Sequence, residues 1–332
     1  MVRLVSRMLA GAATAALCVT MAAAQADDDK LANGGDAMKA ALKAAGYQGE
    51  PGKVESSLNA MKVASLQLDD AKSDAARPDA AQVVGDLVQG GLGIGQTLPG
   101  ATVRLDDRDV AVDGEGRFLL GFDRDHPKSA NLEIKLPDGS QRSVVLAIAP
   151  RDFPTQAIDG LPDDKVSTFS EEDLERIQAS TAKKDAARAA PSRRTAYWAN
   201  GFQWPVTGPI SGVFGSQRIL NGEPKRPHSG VDVAAPTGTT IVAPADGVVT
   251  LAETGMYFEG GLVFIDHGQG LESALMHMSR VVVEAGDEVK KGDVIGAVGA
   301  TGRATGPHLH WSLKWQDRLV DAQLVVGEMP ES

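Results

Sequence analysis

From about residue 82 the chain alternates apolar and polar positions with a period of two, the spacing of strands that bury one face. Thr102-Val103-Arg104-Leu105, Val110-Ala111-Val112 and Phe118-Leu119-Leu120 are short runs, the last two separated by the turn Asp113-Gly114-Glu115-Gly116. Leu132, Ile134 and Leu136 alternate ahead of Pro137-Asp138-Gly139, and residues 144–148 can return across that turn. The pattern predicts a small antiparallel β-sandwich of immunoglobulin-like size over residues 81–168. Ser170-Glu171-Glu172-Asp173 then has the form of a capped helix start. That helix is expected to carry a narrow apolar stripe at Leu174 and Ile177 and to end by Ala190-Pro191. Residues 169–200 therefore read as a helical linker, with Ser192-Arg193-Arg194 as a hinge. Over residues 201–326, apolar runs at 240–242, 248–251, 262–265, 281–283 and 294–298 alternate with Gly, Pro and Asp turns. This predicts a second, nearly all-β domain, so the fold class is mainly β. Tyr197, Trp198, Phe202 and Trp204 are expected to pack beneath its sheet edge.

The beginning of the chain follows neither period. Arg3 and Arg7 precede an apolar, Ala-rich core, and Ala24-Gln25-Ala26 has the small-x-small form of a cleavage site. Residues 1–26 read as a signal peptide, implying export across the inner membrane to the periplasm or cell envelope without a permanent membrane anchor. Residues 27–80 read as an Ala-rich helical or disordered segment. The single cysteine, Cys18, lies inside the signal, which leaves the mature chain without a disulfide or a cysteine nucleophile. A net charge of -11 disfavours nucleic acid as a partner. Asp106, Asp107, Asp109, Asp113, Asp123 and Asp125 lack the spacing of an EF-hand calcium loop and read as turn carboxylates. His126, beside Pro127, is expected at the surface.

Chemistry concentrates in the last third, where five of the six histidines lie beyond residue 225. On a strand, His308 and His310 in Gly306-Pro307-His308-Leu309-His310-Trp311 share one face and form half of a metal or acid–base site. Val231 and Val233 flank Asp232 in strand-like alternation, and His228 lies four residues earlier. On a straight strand those two would be about 13 Å apart, so a bend at Gly230 is needed to bring them together. A His, an Asp and a second His around an open position is the ligand set of a catalytic zinc site. His267, between Asp266 and Gly268, is expected to stabilise a strand end.

The motifs run in a fixed order: Ser211-Gly212-Val213-Phe214-Gly215, His228-Ser229-Gly230-Val231-Asp232, Ala243-Pro244-Ala245-Asp246-Gly247, Ile265-Asp266-His267-Gly268, His277-Met278-Ser279, Gly286-Asp287-Glu288-Val289 and Thr305-Gly306-Pro307-His308-Leu309-His310. In this order and spacing, residues 204–324 resemble the lysostaphin-type (LytM-like) zinc endopeptidases, which cut peptide bonds in bacterial peptidoglycan. The resemblance implies one zinc ion held by His228, Asp232 and His310, with His277 and His308 as the unligated catalytic pair. It departs from the usual pattern at Leu275, where the family has a tyrosine two residues before its middle histidine. The implied partner is peptidoglycan, either a stem peptide or a cross-link. A direct cross-link is preferred to a glycine bridge, because nothing resembles a bridge-targeting module. The alternative is a LytM-like module that has lost catalysis, binds peptidoglycan and activates a wall amidase; here all five positions are filled. Regulation by the chain's own N-terminal region or by a partner protein is a further expectation. The polar loop at 217–225 could cover the site through Asn221 or Glu223, and the 170–190 helix could lean on the groove.

Overall fold

The computed structural model describes residues 81–158 and 169–330. The expected export signal and Ala-rich segment lie outside the described residues. Seven strands open the described chain: β1 (Ala81–Gly85), β2 (Leu92–Thr97), β3 (Thr102–Leu105), β4 (Arg108–Val110), β5 (Arg117–Gly121), β6 (Ser129–Lys135) and β7 (Gln141–Ala147). They form two antiparallel sheets, β1-β2-β5 and β4-β3-β6-β7. The predicted return across Pro137-Asp138-Gly139 is present, with Leu132 opposite Val144. Gly139 takes φ 86°, open to glycine, and the Asp138 carboxylate accepts from Ser140 N at 2.9 Å. Asp113 closes the other turn, accepting from the backbone of Glu115 and Arg117 and from the Arg117 side chain. That carboxylate is occupied in shaping a turn.

Two features of the sandwich run against the pattern. β2, Leu-Gly-Ile-Gly-Gln-Thr, is too glycine-rich to read as a strand. A Cβ at Gly95 would lie 2.1 Å from the Phe118 ring, so the glycine makes room for a fully buried aromatic. His126 was expected at the surface and is instead 3% exposed. Its Nδ1–H donates to the Pro127 carbonyl, and its ring meets Phe122 edge-on at 5.1 Å.

β8 (Thr155–Ile158) leaves the sandwich and pairs in parallel with β10 (Gln217–Leu220). Helix α1 (Glu171–Ala189) starts at the expected cap: Ser170 accepts from Asp173 N, and Asp173 answers to the Ser170 backbone. Such a cap is worth about 1 kcal/mol. The apolar stripe is not what docks the helix, since Leu174 is 45% exposed. Polar contacts do that work. Lys183 meets Glu253, Lys184 meets Glu259, and Arg188 meets Glu272 while lying over the Phe264 ring. Nor is Ser192-Arg193-Arg194 a free hinge. Ser192 Oγ and Arg193 N both donate to Asp266, and Gln269 N donates to the Arg193 carbonyl.

The remaining strands are β9 (Ile210–Gly212), β11 (Glu223–Pro224), β12 (Val231–Ala234), β13 (Thr240–Val242), β14 (Gly247–Met256), β15 (Gly260–Asp266), β16 (Leu271–Met278), β17 (Arg280–Val281), β18 (Glu288–Val289), β19 (Val294–Ala297), β20 (His308–Trp315) and β21 (Arg318–Val320). A short helix α2 (Ala322–Val326) follows. One large sheet runs β18-β14-β15-β16-β20-β12-β9, with β21 on β20. β13-β19-β17 form a smaller one. The core lies under the large sheet, where Trp311, Trp315 and Leu275 are fully buried. The expected aromatic packing is present: Trp198 and Trp204 are buried, and Phe202 stacks on Trp311 at 6.4 Å.

His267 fills a place at this core. It is 0% exposed, its Nδ1–H donates to the Asp246 carbonyl at 2.7 Å, and its Nε2 accepts from Ser273 Oγ at 2.8 Å. Ser273 in turn accepts from Trp311 Nε1. The strand-end role expected for it is what the structure shows.

Candidate metal centre

Three adjacent strands of the large sheet carry most of the site. Asp232 on β12 lies directly opposite His310 on β20, so both side chains leave the same face. His308, two residues before His310, shares that face, while Leu309 turns into the core. Asp232 is also paired to Gly212 on β9. A Cβ there would lie 2.4 Å from Asp232 Oδ2 and 3.1 Å from His228 Cε1, so the glycine leaves space for two functional side chains.

His228 precedes β12 and is clamped by the Val213–Ser216 turn. Its backbone N donates to the Ser216 carbonyl and its carbonyl accepts from Gly215 N, both at 2.9 Å. Its Nδ1–H donates to the Val213 carbonyl at 3.0 Å. The bend between His228 and Asp232 is real, and the reason for Gly230 is close approach rather than a special φ. A Cβ there would meet the Trp311 carbonyl oxygen at 2.2 Å.

The result is a buried triangle. His228 Nε2 lies 3.1 Å from both Asp232 Oδ1 and His310 Nδ1, and His310 Nδ1 lies 2.7 Å from Asp232 Oδ1. All three residues are at most 7% exposed. Because a carbonyl can only accept, His228 carries its proton on Nδ1 and turns a lone pair inward. The far nitrogen of His310 meets the hydroxyls of Ser312 at 2.8 Å and Ser229 at 3.2 Å, which can donate or accept. That ring can therefore hold its proton on Nε2 and also turn a lone pair inward. Two lone pairs and a carboxylate oxygen this close repel one another, and a cation among them removes the repulsion. Two imidazole nitrogens and one carboxylate, oriented by outer hydrogen bonds, fit a zinc ion.

The electrostatics agree. Burial pushes the Asp232 carboxyl up, but when the two rings instead point protons and positive charge at it, the hydrogen bonds from His228 and His310 and their charges outweigh burial and hold the group well below the usual carboxylate range; a cation in the triangle acts in the same direction. Burial lowers His310, with Asp232 opposing. Both therefore favour the forms that bind metal.

Two more imidazoles stand beside the triangle. His277 and His308 have ring centroids 4.7 Å apart, and His308 Nε2 lies 3.8 Å from Asp232 Oδ1. His277 Nδ1–H donates to the Thr301 carbonyl and His308 Nδ1–H to the Gly306 carbonyl, leaving each Nε2 free for chemistry. Burial, then the neighbouring imidazoles, lower His277 to about 4 against the opposing Thr301 bond, so it is neutral at pH 7. The His277 backbone is unusual, with φ 65° at the end of β16 and its N–H on the Glu259 carbonyl. Left-handed backbone at a non-glycine residue costs on the order of 1 kcal/mol and gathers at functional sites.

A cleft of about 360 Å³ opens over these five residues. Its wall includes Met276, not Leu275, which faces the core with 0% exposure; the family's tyrosine position is here a packing position. Asn221 and Glu223 are not among the residues lining it, and Glu223 pairs with Lys225. Arg218, from the same β10–β11 hairpin, does line it, with Nη2 3.7 Å from Asp232 Oδ2. Neither Arg218 nor the carbonyl and hydroxyl partners of the histidines stood out in the sequence, although Ser229 and Ser312 lie one and two residues from His228 and His310.

Comparison with known proteins places this site. The profile of peptidase family M23 matches residues 226–322. The peptidoglycan DD-endopeptidase ShyA of Vibrio cholerae is 42% identical over 96 residues, 29% of this chain and 22% of that protein. The DD-carboxypeptidase/endopeptidase Mpg of Neisseria meningitidis is 43% identical over 107 residues, 32% of this chain and 24% of that protein. The chain thus spans less than a quarter of the length of these relatives. A crystal structure from Pseudomonas aeruginosa, described as a peptidase M23, aligns far more widely: 31% identity, 73% of this chain, 96% of that one and a TM-score of 0.56. With a relative of that identity covered almost end to end, and the family profile falling on the strands that build the triangle, the chain belongs to peptidase family M23.

Proposed function

We propose that this chain is a zinc-dependent endopeptidase that hydrolyses peptide cross-links or stem peptides of bacterial peptidoglycan. The observation that carries the reading is the triangle of His228 Nε2, Asp232 Oδ1 and His310 Nδ1 with two unligated imidazoles at its side. The relatives ShyA and Mpg, named as endopeptidases, support the substrate class. The cell envelope, where that substrate lies, is the protein's place of work.

His228, Asp232 and His310 would hold the ion, which when bound supplies Lewis-acid polarisation of a carbonyl and a water acidic enough to react near neutral pH. The chain's own residues do the rest. Ser312 and Ser229 fix the His310 ring, the Val213 carbonyl fixes His228, and the sheet register fixes Asp232. His277 and His308 manage protons: with Nδ1 committed to carbonyls, they present Nε2 to the cleft. One accepts the proton that the attacking water gives up. The other, once protonated at Nε2, donates to the carbonyl oxygen as negative charge develops there. Among the described residues no HExxH helix supplies a glutamate base, and the two histidines take that part.

The test measures zinc content and release of soluble peptides from purified sacculi, for the wild type and Asp232→Ala. One zinc per wild-type chain with peptide release, both lost in the variant, is expected. Zinc binding with intact sacculi would instead favour a binding module, and stoichiometric zinc in Asp232→Ala would overturn the ligand set.

A further inference from the structure

The cleft carries a charge pattern that metal binding and proton transfer leave unused. The chain is acidic, with 44 Asp and Glu against 33 Lys and Arg, yet three arginines line this one cleft: Arg218, Arg226 and Arg303. The cleft's two carboxylates are already engaged. Asp232 is held by the histidines, and Glu259 is paired with Lys184 of α1. Arg226 and Arg303 are exposed at the rim, and among the described residues neither reaches a carboxylate. Arg218 offers its outer nitrogen to Asp232 Oδ2 at only 3.7 Å, and its Nε is buried without a hydrogen-bond partner.

Arg303 is placed rather than loose. Its backbone N donates to the Phe258 carbonyl at 2.9 Å, and its guanidinium lies 5.4 Å over the Phe258 ring. A ring contact of this kind uses none of the guanidinium's N–H donors, whose fork matches a carboxylate. Arg226 stands two residues before His228 and lines the same cleft. Gathered positive charge with free donors, beside a site for cutting a peptide, is complementary to a negative group on that peptide.

We propose that Arg226 and Arg303, backed by Arg218, form a carboxylate-reading rim, so that the cleft selects peptides carrying a free carboxylate close to the bond to be cut. The inference rests on the endopeptidase reading for its substrate class, but makes a separate claim: the protein distinguishes an acid from its amide. Cross-linked peptides with a free α-carboxylate beside the link are preferred substrates, and the same peptides amidated at that position are poor ones. Screening by salt weakens the preference, because the rim is exposed.

The experiment measures binding of acetyl-D-alanyl-D-alanine and its carboxamide to the full chain with equimolar zinc, by calorimetry, for the wild type, Arg226→Gln, Arg303→Gln and the double variant. Far-ultraviolet circular dichroism confirms that each variant is folded; both side chains are exposed. The acid is expected to bind the wild type about tenfold more tightly than the amide, the size of one or two exposed charge-assisted contacts. Each single variant should cut that ratio about threefold, and the double variant should bring it close to one. A wild-type ratio near one overturns the proposal. So does a ratio that survives in the double variant, which would place the carboxylate on zinc instead, and so does an equal loss of affinity for both peptides. Parallel digestion of sacculi separates the two claims. Acid preference without peptide release refutes only the endopeptidase reading, and release without acid preference refutes only the rim.

Discussion

Acid should weaken this fold through His267, by an amount the structure allows to be worked out. Burial pushes the ring down to about 4 from an ordinary 6.5, while the Asp246 carbonyl and the charges of Asp266 and Asp246 only partly offset it. The hydrogen-bond chain from Trp311 through Ser273 and His267 to Asp246 is complete with the ring neutral. The folded state therefore binds fewer protons than the unfolded state between those two values. The contribution is fully present above the unfolded pKa and is lost as pH falls toward the folded one. Between pH 7 and pH 5 the loss is about 2 kcal/mol, from roughly 1.4 kcal/mol per unit over the part of the window crossed. His267→Gln provides the reference, since its amide can donate to Asp246 and accept from Ser273 but does not titrate. Urea denaturation of metal-free protein can be followed by tryptophan fluorescence, because Trp198, Trp204, Trp311 and Trp315 are all buried. The wild type should lose about 2 kcal/mol more than the variant on going from pH 7 to pH 5. A stability gap between the two proteins that is the same at both pH values would refute the reasoning.

Other expectations follow from the site. His277→Ala and His308→Ala should keep zinc and fold but slow hydrolysis of sacculi by about 100-fold or more; loss of metal in either would make that residue a ligand. Gly212→Ala should lower zinc affinity, read by competition with a chelator, because the added methyl meets Asp232 Oδ2 at 2.4 Å; unchanged affinity would show that β9 can retreat. A fragment starting at Tyr197 should have a lower Tm than the full chain, since it lacks the α1 contacts to Glu253, Glu259 and Glu272 and the β8–β10 pairing. Faster cleavage by that fragment, at unchanged Tm, would instead mark the N-terminal region as a restraint.

The sequence by itself grouped His228, Asp232 and His277 with His308 and His310 only through the motif order it shares with the lysostaphin-type family; directly from its residues it determined the strand-rich class, the capped helix at Ser170 and the common face of His308 and His310. Those are matters of local period and residue type: alternation marks a half-buried strand, a Ser-x-x-Asp marks a cap, and imidazoles two apart on a strand share a face. What it could not determine depends on which segments meet. β2 forms because glycine yields space to Phe118, a contact 23 residues away in sequence from Gly95. His126 is buried because Phe122 and the sandwich close over it, though its neighbours are polar. Leu275 faces the core, not the cleft, because β16 is paired on both edges and its alternation is set by those partners. The helix at Glu171–Ala189, which reads as a linker, docks through lysine and arginine partners that no apolar stripe announces. The arginine rim is the clearest case. Arg218, Arg226 and Arg303 are ordinary surface residues in the chain, and only the fold gathers them around one opening, because charge patterns across a cleft are set by distances in space that local sequence does not encode.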